Sequence, residues 1–245
     1  VGSEMCIRDR HWIGKSEGSI VHFNVEELES TIDVFTTRPD TLFGASYLVI
    51  APDHPLVDII TIDNYKTEIS KYKKEAIAKN EMQRTELNKD KSGVFTGSHA
   101  INPVNGKKIP IWVGDYVLLT YGTGAIMAVP GHDERDYEFA QKYSLDIVQV
   151  VDGENVKLNE EAYTEDGVAI NSGFLNGLST SDAKSKMIKY LEDKNYGKKK
   201  INFKLKDWLI SRQRYWGTPI QIVYDPNGIP HPIPEKYLPW TLPDY

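Results

Sequence analysis

The sequence holds little that could cross-link it. Among 245 residues there is one cysteine, Cys6, so no internal disulfide can form and no thiolate cage can hold a structural metal. A reducing cytoplasm is the simpler setting for such a chain. The six histidines, His11, His22, His54, His99, His132 and His231, are scattered with no pair at ligand spacing, which argues against a zinc site. No Gly-x-Ser-x-Gly occurs, so an activated nucleophile has no good candidate. No apolar run approaches the ~20 residues that cross a bilayer; the longest, Tyr47 to Ala51 and Gly124 to Pro130, have strand length. Cations do not dominate either. Lys and Arg number 29 against 35 Asp and Glu, a formal charge of −6, which excludes a surface coated with nucleic acid and leaves room for a local basic patch.

What is present is a globular balance, 40% apolar and 26% charged, enough to bury a core. Residues 1–10 show neither helical nor strand periodicity and no secretory h-region, and they read as a foreign or misread segment. From Ser30 to Pro52, β-formers alternate around the turn Arg38-Pro39-Asp40, predicting strands over Thr31–Thr37 and Tyr47–Ile50. Asp63 or Asn64 can cap a helix that buries Tyr65, Ile69, Tyr72 and Ala76. Further strands are predicted at Ile109–Val113, Asp115–Tyr121, Gly124–Pro130 and Asp146–Val151. Helices follow the caps Asp133 and Ser179, the second burying Ala183, Met187 and Leu191 and stopping near Gly197. Many short strands with few helices predict a compact barrel-like α+β domain. After Gly197 the cations Lys198, Lys199, Lys200, Lys204, Lys206, Arg212 and Arg214 interleave with Phe203, Trp208, Tyr215 and Trp216, and a module boundary is expected near Lys206.

Two constellations carry chemistry. Thr36-Thr37-Arg38-Pro39-Asp40-Thr41 gathers three hydroxyls, a guanidinium and a carboxylate on a bend that Pro39 stiffens. It suits a polar ligand, and equally a turn whose side chains satisfy their own backbone. Gly122 to Asp136 combines a glycine turn, a buried strand and an acidic helix start. Asp133 and Asp136 are expected to stay ionised there and could hold an ammonium group; plain capping explains Asp133 better than Asp136.

Five blocks, in order, resemble the editing domain of leucyl-tRNA synthetase. They are Trp12 to Gly18, Thr36 to Gly44, Ile101-Asn102-Pro103-Val104-Asn105-Gly106, Tyr121 to Asp136, and Asp207 to Gly217. The resemblance implies a small β-barrel editing domain with peripheral helices over 11–205, inserted into a class I synthetase. Residues 206–245 would begin the return to its Rossmann catalytic domain. The His-Ile-Gly-His and Lys-Met-Ser-Lys-Ser blocks of the ligation site are absent, so ligation is not expected from this chain.

In that family one pocket separates leucine from isoleucine, valine or norvaline by only about 1–3 kcal/mol, and a second, hydrolytic pocket removes the errors. The resemblance implies that Thr36 and Thr37 lie near the scissile ester and that Asp136 grips the α-ammonium. Thr41 would crowd out the leucyl group, and Arg38, Tyr121, Met127, Val129 and Asp133 would line the substrate. For Met127 and Val129, core packing is the competing reading. Arg212, Arg214 and Trp216 would contact tRNA or the synthetic domain. The expected reaction is metal-free hydrolysis of mischarged tRNA-Leu, with ATP and Mg needed only by the full-length ligase. The alternative from another class is a non-catalytic module that binds the tRNA acceptor end. Partners would be that acceptor end and the rest of the synthetase, with no membrane.

Overall fold

The computed structural model describes residues 14–26, 28–77, 91–119, 122–153, 160–203, 222–226 and 229–237. The chain divides into two units, one of Lys15–Phe203 and one of Val1–Gly14 with Lys204–Tyr245. A seven-stranded sheet frames the first. Strands β1 (Lys15–Val25), β2 (Thr31–Thr36), β3 (Tyr47–Ile50), β4 (Gly93–Ile101), β5 (Lys108–Gly114) and β6 (Ala125–Ala128) lie in the order β2-β1-β4-β5-β3-β6. Strand β9 (Gly197–Phe203) returns late in the chain to pair antiparallel with the first part of β1.

Alternation fixes which way each strand faces. Val21 pairs with Val34 and Phe23 with Ile32, all fully buried, which leaves Ile20–Phe35 and His22–Asp33 on the other face. β3 is apolar throughout because it is covered on both sides. Leu48 and Ile50 join the core of Val21, Phe23, Ile32, Val34 and Ile111. Tyr47 and Val49 pack instead with Phe139 and Ala140, the Tyr47 ring stacking on Phe139 at 5.2 Å.

The α-helices among the described residues are α1 (Val57–Ile60), α2 (Lys66–Ile77), α3 (Glu134–Tyr143) and α4 (Thr180–Asp193). The caps expected at Asp133 and Ser179 form; Asp63 and Asn64 instead lie in a 3-10 turn, Asp63–Tyr65, that precedes α2 and has no side-chain cap. Asp133 accepts from the amides of Arg135 and Asp136, and the Ser179 Oγ accepts from the Asp182 amide at 3.2 Å while donating to the Asp182 carboxylate at 2.8 Å. α4 buries Ala183, Met187 and Leu191. It stops at Asp193, short of the expected Gly197, because Asn195 adopts a left-handed φ of 57° that turns the chain into β9.

Other expectations need correction. Asp115–Leu119 forms turns and irregular chain rather than a strand, and the end of that predicted strand, including Tyr121, lies outside the described residues. Asp146–Val151 is irregular until β7 (Val151–Asp152), which pairs only with β8 (Val168–Ala169). The apolar residues of this stretch are there to cover a face: Leu145 and Ile147 pack beside Val49 and Phe139 without joining a ladder. β4 escaped prediction because its inward positions are small and polar. Thr96 donates to the Ile111 carbonyl at 2.8 Å, and Ser98 donates to that of Ile60.

The barrel is not closed. Its end strands, β2 and β6, approach one another, but among the described residues no ladder joins them. In the second unit the described residues form a hairpin of β10 (Ile222–Tyr224) and β11 (Pro230–Pro232). Most of the expected return to a catalytic domain, with Arg212, Arg214 and Trp216, lies outside the described residues.

Candidate active site at the open seam

A cavity of about 240 Å³ sits in the seam. Phe35, Thr36, Thr37, Arg38 and Thr41 line it from β2 and the bend beyond. Ile126 and Met127 line it from β6, Val129 from just beyond that strand, and His132, Asp133, Arg135 and Asp136 from the start of α3. An unpaired seam exposes strand ends that a closed barrel would bury in its ladder, and the site is built from those ends.

The bend is held by its own bonds. Pro39–Gly44 forms a 3-10 turn. Arg38 grips buried Asp40 through Nε and Nη2, at 3.0 Å for the closer oxygen. The Thr41 hydroxyl donates to the Arg38 carbonyl at 2.9 Å, and the Thr36 hydroxyl accepts from the Arg38 amide at 3.0 Å. Thus the turn reading and the ligand reading hold together: the side chains satisfy the backbone and still face the cavity. Thr37 is exposed, and its hydroxyl has no partner among the described residues.

The motif at 101–106 explains itself here. Fully buried Asn102 donates to the Leu42 carbonyl at 2.8 Å, and Asn105 donates to that of Phe43 at 3.3 Å. Two amides therefore pin the carbonyls that follow Thr41. Beneath the bend, Gly18 permits close approach: a Cβ there would lie 2.1 Å from the Thr36 carbonyl oxygen.

On the acidic side, Asp133 caps α3 and pairs with the Arg135 guanidinium at 3.2 Å. Asp136 is buried. One carboxylate oxygen accepts from the Val129 amide at 2.9 Å, and its main-chain carbonyl accepts from the Tyr47 hydroxyl at 3.0 Å. Among the described residues it has no cationic partner within ion-pair distance, unlike Asp40 and Asp133. Burial, and then the Asp133 charge, push its carboxyl up to about 8, against the opposing pull of the Val129 amide, Arg135 and Lys91. The expectation that Asp136 stays ionised is therefore corrected: desolvation outweighs the helix terminus.

His132 is a structural member of the wall. Its Nε2 accepts from the amides of Val150 and Val151 at 2.9 and 3.1 Å, which leaves Nδ1 to donate to the Tyr163 carbonyl at 2.8 Å. Burial lowers its pKa, so the ring stays neutral.

The structure thus gathers Thr36, Thr37, Arg38, Thr41, Met127, Val129, Asp133 and Asp136 around one cavity. Met127 and Val129 also belong to the core, so both readings of them apply. Phe35, Ile126, His132 and Arg135 join the lining, and Tyr47 holds Asp136 from behind; Ile126, His132 and Arg135 lie within the block Tyr121 to Asp136, while no motif marks Phe35 and Tyr47. A larger cleft of about 570 Å³ opens beside α1 and β4, but its carboxylates Glu26 and Asp63 are already paired with Lys108 and Lys66. Among the described residues no three His, Cys, Asp or Glu side chains assemble as a metal site would require. No helix among them is long and apolar enough to cross a membrane.

An open sheet with a polar cavity at its seam defines the chain as an α+β module. A family model for the leucyl-tRNA synthetase editing domain matches residues 10–192, and the chain belongs to that family. Among solved structures it is similar to the AgnB2 leucyl-tRNA synthetase of Agrobacterium radiobacter K84, in a ternary complex with tRNA and LeuAMS. The two share 33% identity and a TM-score of 0.70, over 98% of this chain and 27% of that one. The chain therefore spans about a quarter of that synthetase.

Proposed function

We propose that the seam cavity hydrolyses the ester joining a wrong amino acid to the terminal ribose of tRNA-Leu. The observation that carries this reading is the meeting of a hydroxyl-rich bend with the buried carboxyl of Asp136, which no described cation pairs with. Asp136 takes the α-ammonium and ionises as it does so, its proton passing to solvent. The Thr36 and Thr37 hydroxyls orient a water toward the ester carbon. Water adds to that carbon, the bond from the carbon to the ribose oxygen breaks, the departing ribose oxygen takes up the proton that the water gives up, and the free amino acid leaves. Thr41, fixed by its bond to Arg38, narrows the space where a leucyl side chain would lie. Met127 and Val129 form the apolar wall, with Tyr121 as a further contact to the terminal adenosine. Arg38 and Asp133 act through the frame, since each is already engaged in an ion pair.

The hydrolysis uses no metal; ATP and Mg serve ligation in the full-length synthetase. Arg212, Arg214 and Trp216 would serve the tRNA or the synthetic domain. The test is incubation of the chain with isoleucyl- or norvalyl-tRNA-Leu. Release of free amino acid is the expected result. Retarded RNA with its ester intact would instead establish a non-catalytic acceptor-end binder.

A further inference from the structure

The sheet register carries the cavity's outer rim across to β9. Ile20 of β1 pairs with Phe35 of β2 on one side and with Lys198 of β9 on the other, so Phe35, Ile20 and Lys198 form one row. The neighbouring residues Val21 and Val34 are fully buried, so this row faces outward. Gly18 pairs with Lys200, and Gly18 is the residue on which the Thr36–Thr37 backbone rests. Both lysines thus stand two strand spacings, ~10 Å, from the residues that line the cavity.

Charge separates these two lysines from their neighbours. Lys199 points to the opposite face, where Lys15 pairs with Glu17 at 2.6 Å and where Lys15 and then Lys199 hold the Glu17 carboxyl below its ordinary value. That face is compensated. On the outward face Asp33, one row on, is occupied by His22 at 2.6 Å. Lys198 and Lys200 are exposed, and among the described residues neither has an acidic partner. Two uncompensated cations beside a cavity that takes a 3′-terminal nucleoside fit a polyanion leaving that cavity.

We propose that Lys198 and Lys200 bind the phosphates of the single-stranded RNA end just upstream of the nucleoside in the cavity. This rests on reading the cavity as the ester site. It also assigns the start of the basic segment to the editing unit, since β9 is a strand of its sheet.

The test uses the whole chain and uncharged tRNA-Leu as probe, with binding followed by anisotropy between roughly 50 and 200 mM salt. Two single-strand phosphate contacts contribute about 1.4 to the slope of log affinity against log salt, so the Lys198→Gln, Lys200→Gln double variant should lose about that much slope. Its affinity near 0.1 M salt should fall on the order of tenfold. Lys199→Gln, on the same strand, should keep both. With mischarged tRNA the double variant should show a raised KM and an unchanged kcat. An unchanged slope and affinity in the double variant would overturn the inference, even if the wild type releases amino acid. A lost slope in a chain that hydrolyses nothing would uphold the lysine strip and overturn the hydrolase reading.

Discussion

At the scale of single residues, Asp136 carries the most weight and was the least legible. Its position three residues after Asp133 suggests an ionised first-turn acid, because helix position can be read from spacing and burial cannot. Tyr47, 89 residues away, closes the space behind it, and that neighbour is visible only once the chain has folded. The pH consequence has a definite sign. The folded carboxyl titrates near 8, against ~3.9 when unfolded, so its contribution to stability is whole below about pH 4 and is lost as pH rises through 8. Asp136→Asn keeps an acceptor for the Val129 amide and removes the titration. Urea midpoints at pH 5 and pH 9 should therefore show the wild type losing ground to the variant at the higher pH. A pH-independent gap would contradict this. The same variant should lower deacylation on the order of 10–100-fold, the weight of a hydrogen bond to a charged group.

At the scale of elements, caps and amphipathic helices were readable because they are local. Asp133 and Ser179 each satisfy amides within three residues, and Ala183, Met187 and Leu191 repeat at the helical period. Strands were harder. β4 hides its inward face behind Thr96 and Ser98, and Asp146 to Val151 has the apolarity of a strand but joins a ladder only at Val151. The loop at 101–106 could be recognised as a family block, while its work, holding the turn that carries Thr41, depends on contacts some 60 residues apart. Asn102→Ala strands the Val104 amide, which its side chain now satisfies at 3.1 Å, and leaves the Leu42 carbonyl with the Ala45 amide at 3.2 Å as its remaining donor. The expected cost is about 1–3 kcal/mol, read as a lower urea midpoint. Leucyl-tRNA should also become slightly labile as Thr41 loosens. A variant with the wild-type midpoint and no leucine release would show that the turn stands without Asn102.

At the scale of the whole molecule, the barrel reading was right in its curvature and wrong in its closure. Sequence records which strands exist; it does not record that β2 and β6 meet without a ladder. That missing ladder is where the cavity opens, so the feature hardest to read is the one that places the chemistry. The two halves of the site, the bend after β2 and the start of α3, lie nearly a hundred residues apart and meet because the curled sheet brings its ends together. The most direct measurement of this account is leucine release from correctly charged leucyl-tRNA-Leu by the Thr41→Ala chain, with the wild type beside it. The account predicts that the wild type leaves this ester intact and that the variant, its pocket enlarged at the bend, begins to hydrolyse it. A variant that cleaves isoleucyl-tRNA-Leu normally and still leaves leucyl-tRNA-Leu untouched would contradict it.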